Sequence, residues 1–337
     1  MSSKEPRVVL CYPVQPRHVA QIEETLSDFG GGVVVDAGQE RTGQELADCD
    51  IYCGHAKVPV PWKAVVEAGR LRWIQSSAAG MDHCLTPEVV ASDIVVTSAS
   101  GVLADQVAEQ TFALLFGVLR SLPVFFAAQR RKDFTRRPTH DLHGKRVGIV
   151  GFGGNGRRLA EVLAPFRCQI VATDLFPEDR PPNVAELVHA DDLDGQLPTL
   201  DVVILAAPLT ERTHGMFDRQ RFALLKQGAV LVNVARGSLV VEEALDEALR
   251  GGRLAGAGID VAPTEPLRPE SPLWTAPNLI ITPHVGGQSA SRIDDMTNLF
   301  CENLRRFAAK RTLANLVDKS LGFPRPIHAA WRSGVTG

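Results

Sequence analysis

The sequence has no long unbroken apolar run, no excess of charge of either sign, no paired cysteines and no repeated or low-complexity tract. Each absence removes a class of protein. The most apolar stretch, Val107 to Ala128, is interrupted by Glu109, Gln110, Arg120 and Pro123, so it cannot span a bilayer unassisted and reads as a buried helix. A formal net charge of −3 and a pI near 6.3 give no global attraction for nucleic acid or an anionic membrane, which leaves a small molecule as the expected partner. Cys11, Cys49, Cys53, Cys84, Cys168 and Cys301 form no C-x-x-C pair and stand beside no histidine at metal-ligand spacing. Reduced, partly buried thiols in a cytoplasmic protein are expected, with no metal site. The opening Met-Ser-Ser-Lys-Glu-Pro-Arg lacks the apolar stretch of a signal peptide.

What is present is an alternation of short apolar runs with helical patterns, the mark of an α/β protein with parallel sheets. At 337 residues the chain exceeds what one core usually serves, and two domains with a cleft between them are expected. A first series of strands is read near Val8 to Tyr12, Gly32 to Asp36, Ile51 to Cys53, Leu71 to Gln75 and Ile94 to Thr97, with a helix at His18 to Leu26 among them. After a long apolar helix at Asp105 to Leu122 come six more strands: Arg146 to Val150, Gln169 to Thr173, Asp201 to Ala206, Ala229 to Val234, Gly256 to Asp260 and Leu279 to Thr282. The last strong helix, Ser289 to Lys310, is expected to return to the first domain. Residues 1–103 with 288–337 are therefore read as a discontinuous substrate domain and 104–287 as an inserted cofactor domain. The tail from Phe323 reads as an arm or a poorly ordered end.

The segment Lys145 to Arg157, KRVGIVGFGGNGR, joins an apolar strand to a helix through Gly151-x-Gly153-x-x-Gly156. In this setting the first glycine allows the tight turn, the second lets a pyrophosphate approach the backbone, and the third lets helix and strand pack closely. The anion meets free N–H groups at the positive helix end. The next strand ends in Asp174, about 20 residues on, where an acid can accept both ribose hydroxyls and repel a 2′-phosphate. Together these point to a dinucleotide cofactor, and to NAD.

Three polar residues follow directly on apolar strands. Ala229-Val-Leu-Val-Asn-Val-Ala235 runs into Arg236, Gly256-Ala-Gly-Ile-Asp260 leads to Glu265, and Leu279-Ile-Ile-Thr-Pro283 leads to His284. Ends of parallel strands lie on one edge, the edge where ligands bind. Hydride transfer to and from a 2-hydroxy acid needs a cation for the carboxylate, a base for the hydroxyl proton and a group that tunes the base. Arg236, His284 and Glu265 meet these demands: arginine forks onto carboxylates, histidine is the natural base near neutral pH, and a carboxylate steadies an imidazolium.

The chain resembles the D-isomer-specific 2-hydroxyacid dehydrogenase family through TSASGVLADQVAEQ from Thr97, HGKRVGIVGFGGNGRRLA, LAAPLTERTHGMFD, LVNVARGSLVVEEAL, GIDVAPTEPL and LIITPHVGG. The resemblance implies two Rossmann-like domains with doubly wound parallel sheets, and Arg236, Glu265 and His284 as the catalytic trio. It also implies a cofactor site made by Gly151, Gly153, Gly154, Asn155, Gly156, Asp174, Ala207, Pro208, Thr213, Val234, Ala235 and Gly286, with Asp260 holding the nicotinamide carboxamide. Main-chain N–H groups at Ala79 and Gly80 would receive the substrate, as would Arg236 and His284. The chain departs from the family at Gly154 and Asn155, where a bulky basic and an aliphatic residue are usual.

Phosphoglycerate dehydrogenases typically carry arginine where Ser76 stands, and formate dehydrogenases lack a counterpart of Glu265. A small 2-keto and D-2-hydroxy acid pair of the glyoxylate or hydroxypyruvate kind is thus favoured. D-3-phosphoglycerate dehydrogenase and an NAD-sensing corepressor-like protein that retains the trio are the alternatives. The resemblance further implies a homodimer, with Asp105 to Phe126 and the arm Arg130 to His140 as candidate contacts.

Overall fold

The computed structural model of the chain describes residues 5–329. The chain divides into two compact units, Met1–Leu103 with Ser289–Gly337, and Ala104–Gln288. The first unit is built on a parallel sheet of β1 (Arg7–Cys11), β2 (Val33–Asp36), β3 (Ile51–Gly54), β4 (Trp73–Ser76) and β5 (Val95–Thr97), in the order β2-β1-β3-β4-β5. β1, β3 and β4 are buried along nearly their whole length, as expected of parallel strands covered on both faces. The helices Pro16–Ser27 and Arg292–Ala308 pack against each other through a His18–Asp294 contact of 2.7 Å. Phe300 of the latter lies beside Trp73, ring centres 5.4 Å apart. Buried Asn303 fixes the returning chain by donating to Gln75 Oε1 at 2.9 Å and to the Ala314 carbonyl at 3.0 Å.

The second unit holds β6 (Arg146–Val150), β7 (Gln169–Asp174), β8 (Glu186–His189), β9 (Val202–Leu205), β10 (Ala229–Asn233), β11 (Leu254–Ile259) and β12 (Leu279–Ile281). Their order is β12-β11-β10-β9-β6-β7-β8, and every pairing is parallel. The chain starts at β6, winds outward to β8, then crosses to β9 and winds the other way. The switch between β6 and β9 opens a crevice at the strands' carboxyl ends, where ligands of doubly wound sheets bind. Val147, Ile149, Ile170, Val203 and Ile204 are fully enclosed around this switch, each contributing about 1.5–3 kcal/mol by burial. Both units are thus doubly wound α/β sheets.

Three features differ from the sequence reading. The second sheet has seven strands, because Glu186–His189 pairs with β7 as a half-buried edge strand whose polar ends hide the usual apolar run. The helix expected at Asp105 to Leu122 stops at Leu119. Ser121 takes a left-handed φ of 55°, Pro123 sits in the first turn of a new helix, and Leu122–Arg130 leaves at 64° to Ala104–Leu119. The tail from Phe323, read as an arm or a poorly ordered end, is tied down over its described residues: Phe323–Pro324 pairs antiparallel with Val317–Asp318, and Asn315 N–H donates to the His328 carbonyl at 2.6 Å. Its Ser-Gly-Val-Thr-Gly end lies outside the described residues.

The cysteines are unpaired; all but half-buried Cys168 are buried. Burial pushes the Cys49 and Cys84 thiols up to about 12, which keeps them protonated and inert at neutral pH. Among the described residues no single helix is long and apolar enough to cross a membrane.

Candidate active site

The glycine turn follows β6. Gly151 has φ +95°, and a Cβ there would lie 2.6 Å from the Ala207 backbone after β9, so this position accepts only glycine. A Cβ on Gly156 would run into the Gly151 carbonyl oxygen. Gly153 is different: a Cβ there would meet nothing within 4 Å. It precedes the helix Gly154–Leu163, which no side chain caps, so the first N–H groups at Gly154 and Asn155 keep their donor capacity. Open space in front of uncapped N–H groups at a positive helix end fits a pyrophosphate. The Asp174 carboxylate, ending β7, is held by N–H groups of Phe152 at 2.7 Å and Phe176 at 2.9 Å, one to each oxygen.

The loop after β9 closes on itself. Thr213 Oγ1 donates to the Pro208 carbonyl at 2.7 Å and accepts the Thr210 N–H at 2.8 Å, so this hydroxyl shapes the loop. Ala207 is nearly enclosed and Pro208 exposed, while Val234 and Ala235 line the end of β10.

At that end, the strand's apolar pattern is broken by Asn233, 1% exposed. Its side chain accepts the Ala235 N–H at 3.1 Å and donates to the Arg236 carbonyl at 3.0 Å, fixing the turn that presents Arg236. Sequence reasoning passed over Asn233, although a lone amide inside an otherwise apolar strand was the available signal. Arg236 is half-buried and donates from Nη1 to the Ala235 carbonyl at 2.7 Å. Gly237 abuts the Ala262–Pro263 backbone so closely that a Cβ would not fit, and this brings the Arg236 turn against the loop that carries Glu265.

His284 and Glu265 meet. His284 Nδ1 lies 2.8 Å from Glu265 Oε2, and Glu265 Oε1 accepts the Ala262 N–H at 3.1 Å. The imidazole is thereby oriented through Nδ1. His284 adopts φ 55°, a left-handed conformation that costs a non-glycine residue about 1–2 kcal/mol. Asp260, 2% exposed, offsets that cost. Its carbonyl accepts the His284 N–H at 2.7 Å, and its carboxylate accepts N–H from Val285 at 3.0 Å and Gly286 at 2.7 Å. Oδ1 also accepts the Thr282 hydroxyl at 2.6 Å, whereas Oδ2 keeps an acceptor position suited to a carboxamide N–H. A Cβ on Gly286 would come within 2.8 Å of Oδ2.

Arg236, Glu265, His284, Asp260 and the glycine turn all belong to the second unit. Ala79 and Gly80 belong to the first, on the loop after β4. There Ser76 Oγ accepts the Ala78 N–H at 3.0 Å, and among the described residues the Ala79 and Gly80 N–H groups have no acceptor. Two adjacent open donors suit an anionic group. His55 stacks on His83 beside this loop, ring centres 4.0 Å apart.

Residues 112–286 match the model of the D-isomer specific 2-hydroxyacid dehydrogenase, NAD binding domain. The chain belongs to that family. It is similar to a glyoxylate reductase of Thermococcus gammatolerans, 33% identical over 289 residues that cover 82% of this chain and 85% of the relative. A D-3-phosphoglycerate dehydrogenase of Methanocaldococcus jannaschii is 27% identical over 93% of this chain but only 59% of its own length. Among solved structures, an NADPH-dependent glyoxylate/hydroxypyruvate reductase of Sinorhizobium meliloti in complex with NADP and sulfate aligns with a TM-score of 0.78 and 27% identity, covering 95% of this chain and 100% of the other.

Proposed function

We propose that this chain is an NAD-dependent dehydrogenase that interconverts a small 2-keto acid and its D-2-hydroxy acid, of the glyoxylate or hydroxypyruvate kind. The His284–Glu265 pair beyond the strand ends of a dinucleotide-type sheet carries this reading. The dinucleotide, when bound, supplies or takes up the hydride. Arg236 pairs with the substrate carboxylate and polarises the carbonyl. In reduction His284 Nε2 delivers the proton to the carbonyl oxygen, and in oxidation it takes the proton back, while Glu265 holds the ring and steadies its charged form. The Ala79 and Gly80 N–H groups are assigned to the substrate carboxylate, which makes the first unit the substrate domain and the second the cofactor domain.

NAD is favoured over NADP by the fixed Asp174 carboxylate and by Arg157, whose guanidinium is committed to the Glu178 and Asp179 carbonyls at 3.0 Å each. Ser76 disfavours a phosphorylated substrate. The unpaired thiols suit a reducing compartment such as the cytoplasm. The deciding experiment follows NADH and NADPH oxidation with glyoxylate, hydroxypyruvate, pyruvate, bulkier keto acids and phosphohydroxypyruvate, beside His284→Ala. Turnover with a small keto acid and NADH, lowered in the variant at least a hundredfold, is expected. NADH binding without turnover points instead to a sensor, and wild-type-like turnover in the variant overturns the mechanism.

A homodimer is proposed through the helix Leu122–Arg130 and the arm that follows. Only Ala128 of that helix is buried, while Val124, Phe126 and, on the arm, Phe134 are 39%, 55% and 104% exposed. Sedimentation should give twice the 36.5 kDa chain mass, and Phe126→Glu should halve it.

A further inference from the structure

β11 reads Leu254-Ala-Gly-Ala-Gly-Ile259, with glycine at alternate positions and therefore on one face. The helix Ala104–Leu119 docks into that groove: Gly258 lies under Leu114 and Gly256 under Val118, where a Cβ on either glycine would come within 2.7 Å of the helix side chain. Four residues along a helix and two along a strand cover nearly the same distance, roughly 6 Å. Extending the register by one step toward the strand's carboxyl end sets Gln110 over Asp260. The contacts follow: Gln110 Nε2 donates to Thr282 Oγ1 at 2.8 Å and approaches Asp260 Oδ1 at 3.5 Å, and Thr282 Oγ1 donates to Asp260 Oδ1 at 2.6 Å. Asp260 in turn takes N–H bonds from His284, Val285 and Gly286.

We propose that Gln110 and Thr282 are positioning residues for His284. Neither reaches the reacting atoms. They form, with Asp260, a half-buried bridge from the helix to the turn that keeps His284 in its left-handed conformation with Nδ1 on Glu265. The Gln110 amide orients the Thr282 hydroxyl by donating to it, so that this hydroxyl gives its single proton to Asp260. The carboxylate is then anchored on one side and accepts the Val285 and Gly286 N–H groups, while the Asp260 carbonyl accepts that of His284. Loss of the bridge leaves Glu265 and His284 intact in sequence but lets the ring leave its place. A histidine misplaced by a fraction of an ångström delivers its proton poorly, while substrate still binds through Arg236.

The proposal rests on the dehydrogenase reading for its kinetic consequence but not for its structural one, and the two are separated by measuring both. Thr282→Val removes the hydroxyl at constant shape, Thr282→Ser restores it, and Gln110→Met removes the amide while keeping length and helix propensity. In each full-length variant kcat and KM for the preferred keto acid are measured beside the His284 Nδ1–H proton resonance, assigned by its loss in His284→Ala. Thr282→Val and Gln110→Met should lower kcat about tenfold with KM within about twofold. Both should broaden or shift the Nδ1–H signal, and Thr282→Ser should recover both readouts. An unchanged resonance in Thr282→Val and Gln110→Met overturns the proposal, as does equal loss in Thr282→Ser. If the wild type turns over no keto acid the dehydrogenase reading fails, and the resonance alone then decides the role of the bridge.

Discussion

The two halves of the cofactor unit make their sites by opposite means. Around β6 and β7 the site is mostly a matter of missing side chains, with Asp174 the exception: Gly151 and Gly156 bring backbones together, and Gly153 opens onto empty space. Around β10, β11 and β12 the site is made of side chains, and each is held by another that does no chemistry, Asn233 for Arg236 and Asp260 with Thr282 for His284. In the proposed function the first half recognises a constant ligand, and an absence tolerates little variation. The second half would place the reacting atoms, and placement depends on hydrogen bonds made away from the reaction.

The sharpest way to break the first half is Gly156→Ala. The added Cβ would meet the Gly151 carbonyl oxygen, backbone against backbone, with no flexible side chain to yield. The expected destabilisation is about 3 kcal/mol, at the upper end of ordinary overpacking, together with loss of dinucleotide binding. Urea denaturation measures the first and NADH fluorescence titration the second. Wild-type stability would show that the turn relaxes, and that this glycine serves something other than packing.

The same contrast explains what could be read from sequence. Gly151-x-Gly153-x-x-Gly156, Asp174 and the strand-end Arg236, Glu265 and His284 were legible because each is a residue type at a fixed offset from an apolar run. Gln110 and Thr282 were not, because their roles depend on which strand lies beside which helix, and the glycine register of β11 under Leu114 and Val118 decides that; Asn233, whose bonds are local, was marked only by being an amide inside an apolar strand. β8 was hidden for a related reason: an edge strand, half-buried and beginning with Glu186, lacks the apolar run that marks a central one. The break at Ser121 was signalled by Pro123, but the proline fits the first turn of a new helix and so did not itself reveal where the old one ended.

Between the halves in size of effect stands Asp174. Asp174→Asn keeps an acceptor for a main-chain N–H of the turn but removes the charge that would repel a 2′-phosphate. The ratio of NADPH to NADH dissociation constants should fall about tenfold, through loss of a charged partner for the ribose hydroxyls and relief of repulsion. Stability should fall by about 1 kcal/mol, since the amide NH2 then faces one of the two N–H groups, of Phe152 or Phe176, that the carboxylate accepts. A ratio that does not move would mean that cofactor choice lies elsewhere in the unit.

The smallest effect is the most telling, because Gly153→Ala separates binding from folding at the position where Gly156→Ala cannot. Gly153 has φ −73°, which any residue adopts, and its absent Cβ points into open space. Alanine there should leave stability unchanged or raise it by about 0.5 kcal/mol, since it restricts the unfolded chain more than the folded one. The same methyl group occupies the approach of the pyrophosphate, so NADH affinity should drop about fivefold. Calorimetry and fluorescence titration of one preparation give both numbers. If affinity and stability fall together, Gly153 is a packing glycine like its neighbours, and the open space in front of the helix is not where the cofactor sits.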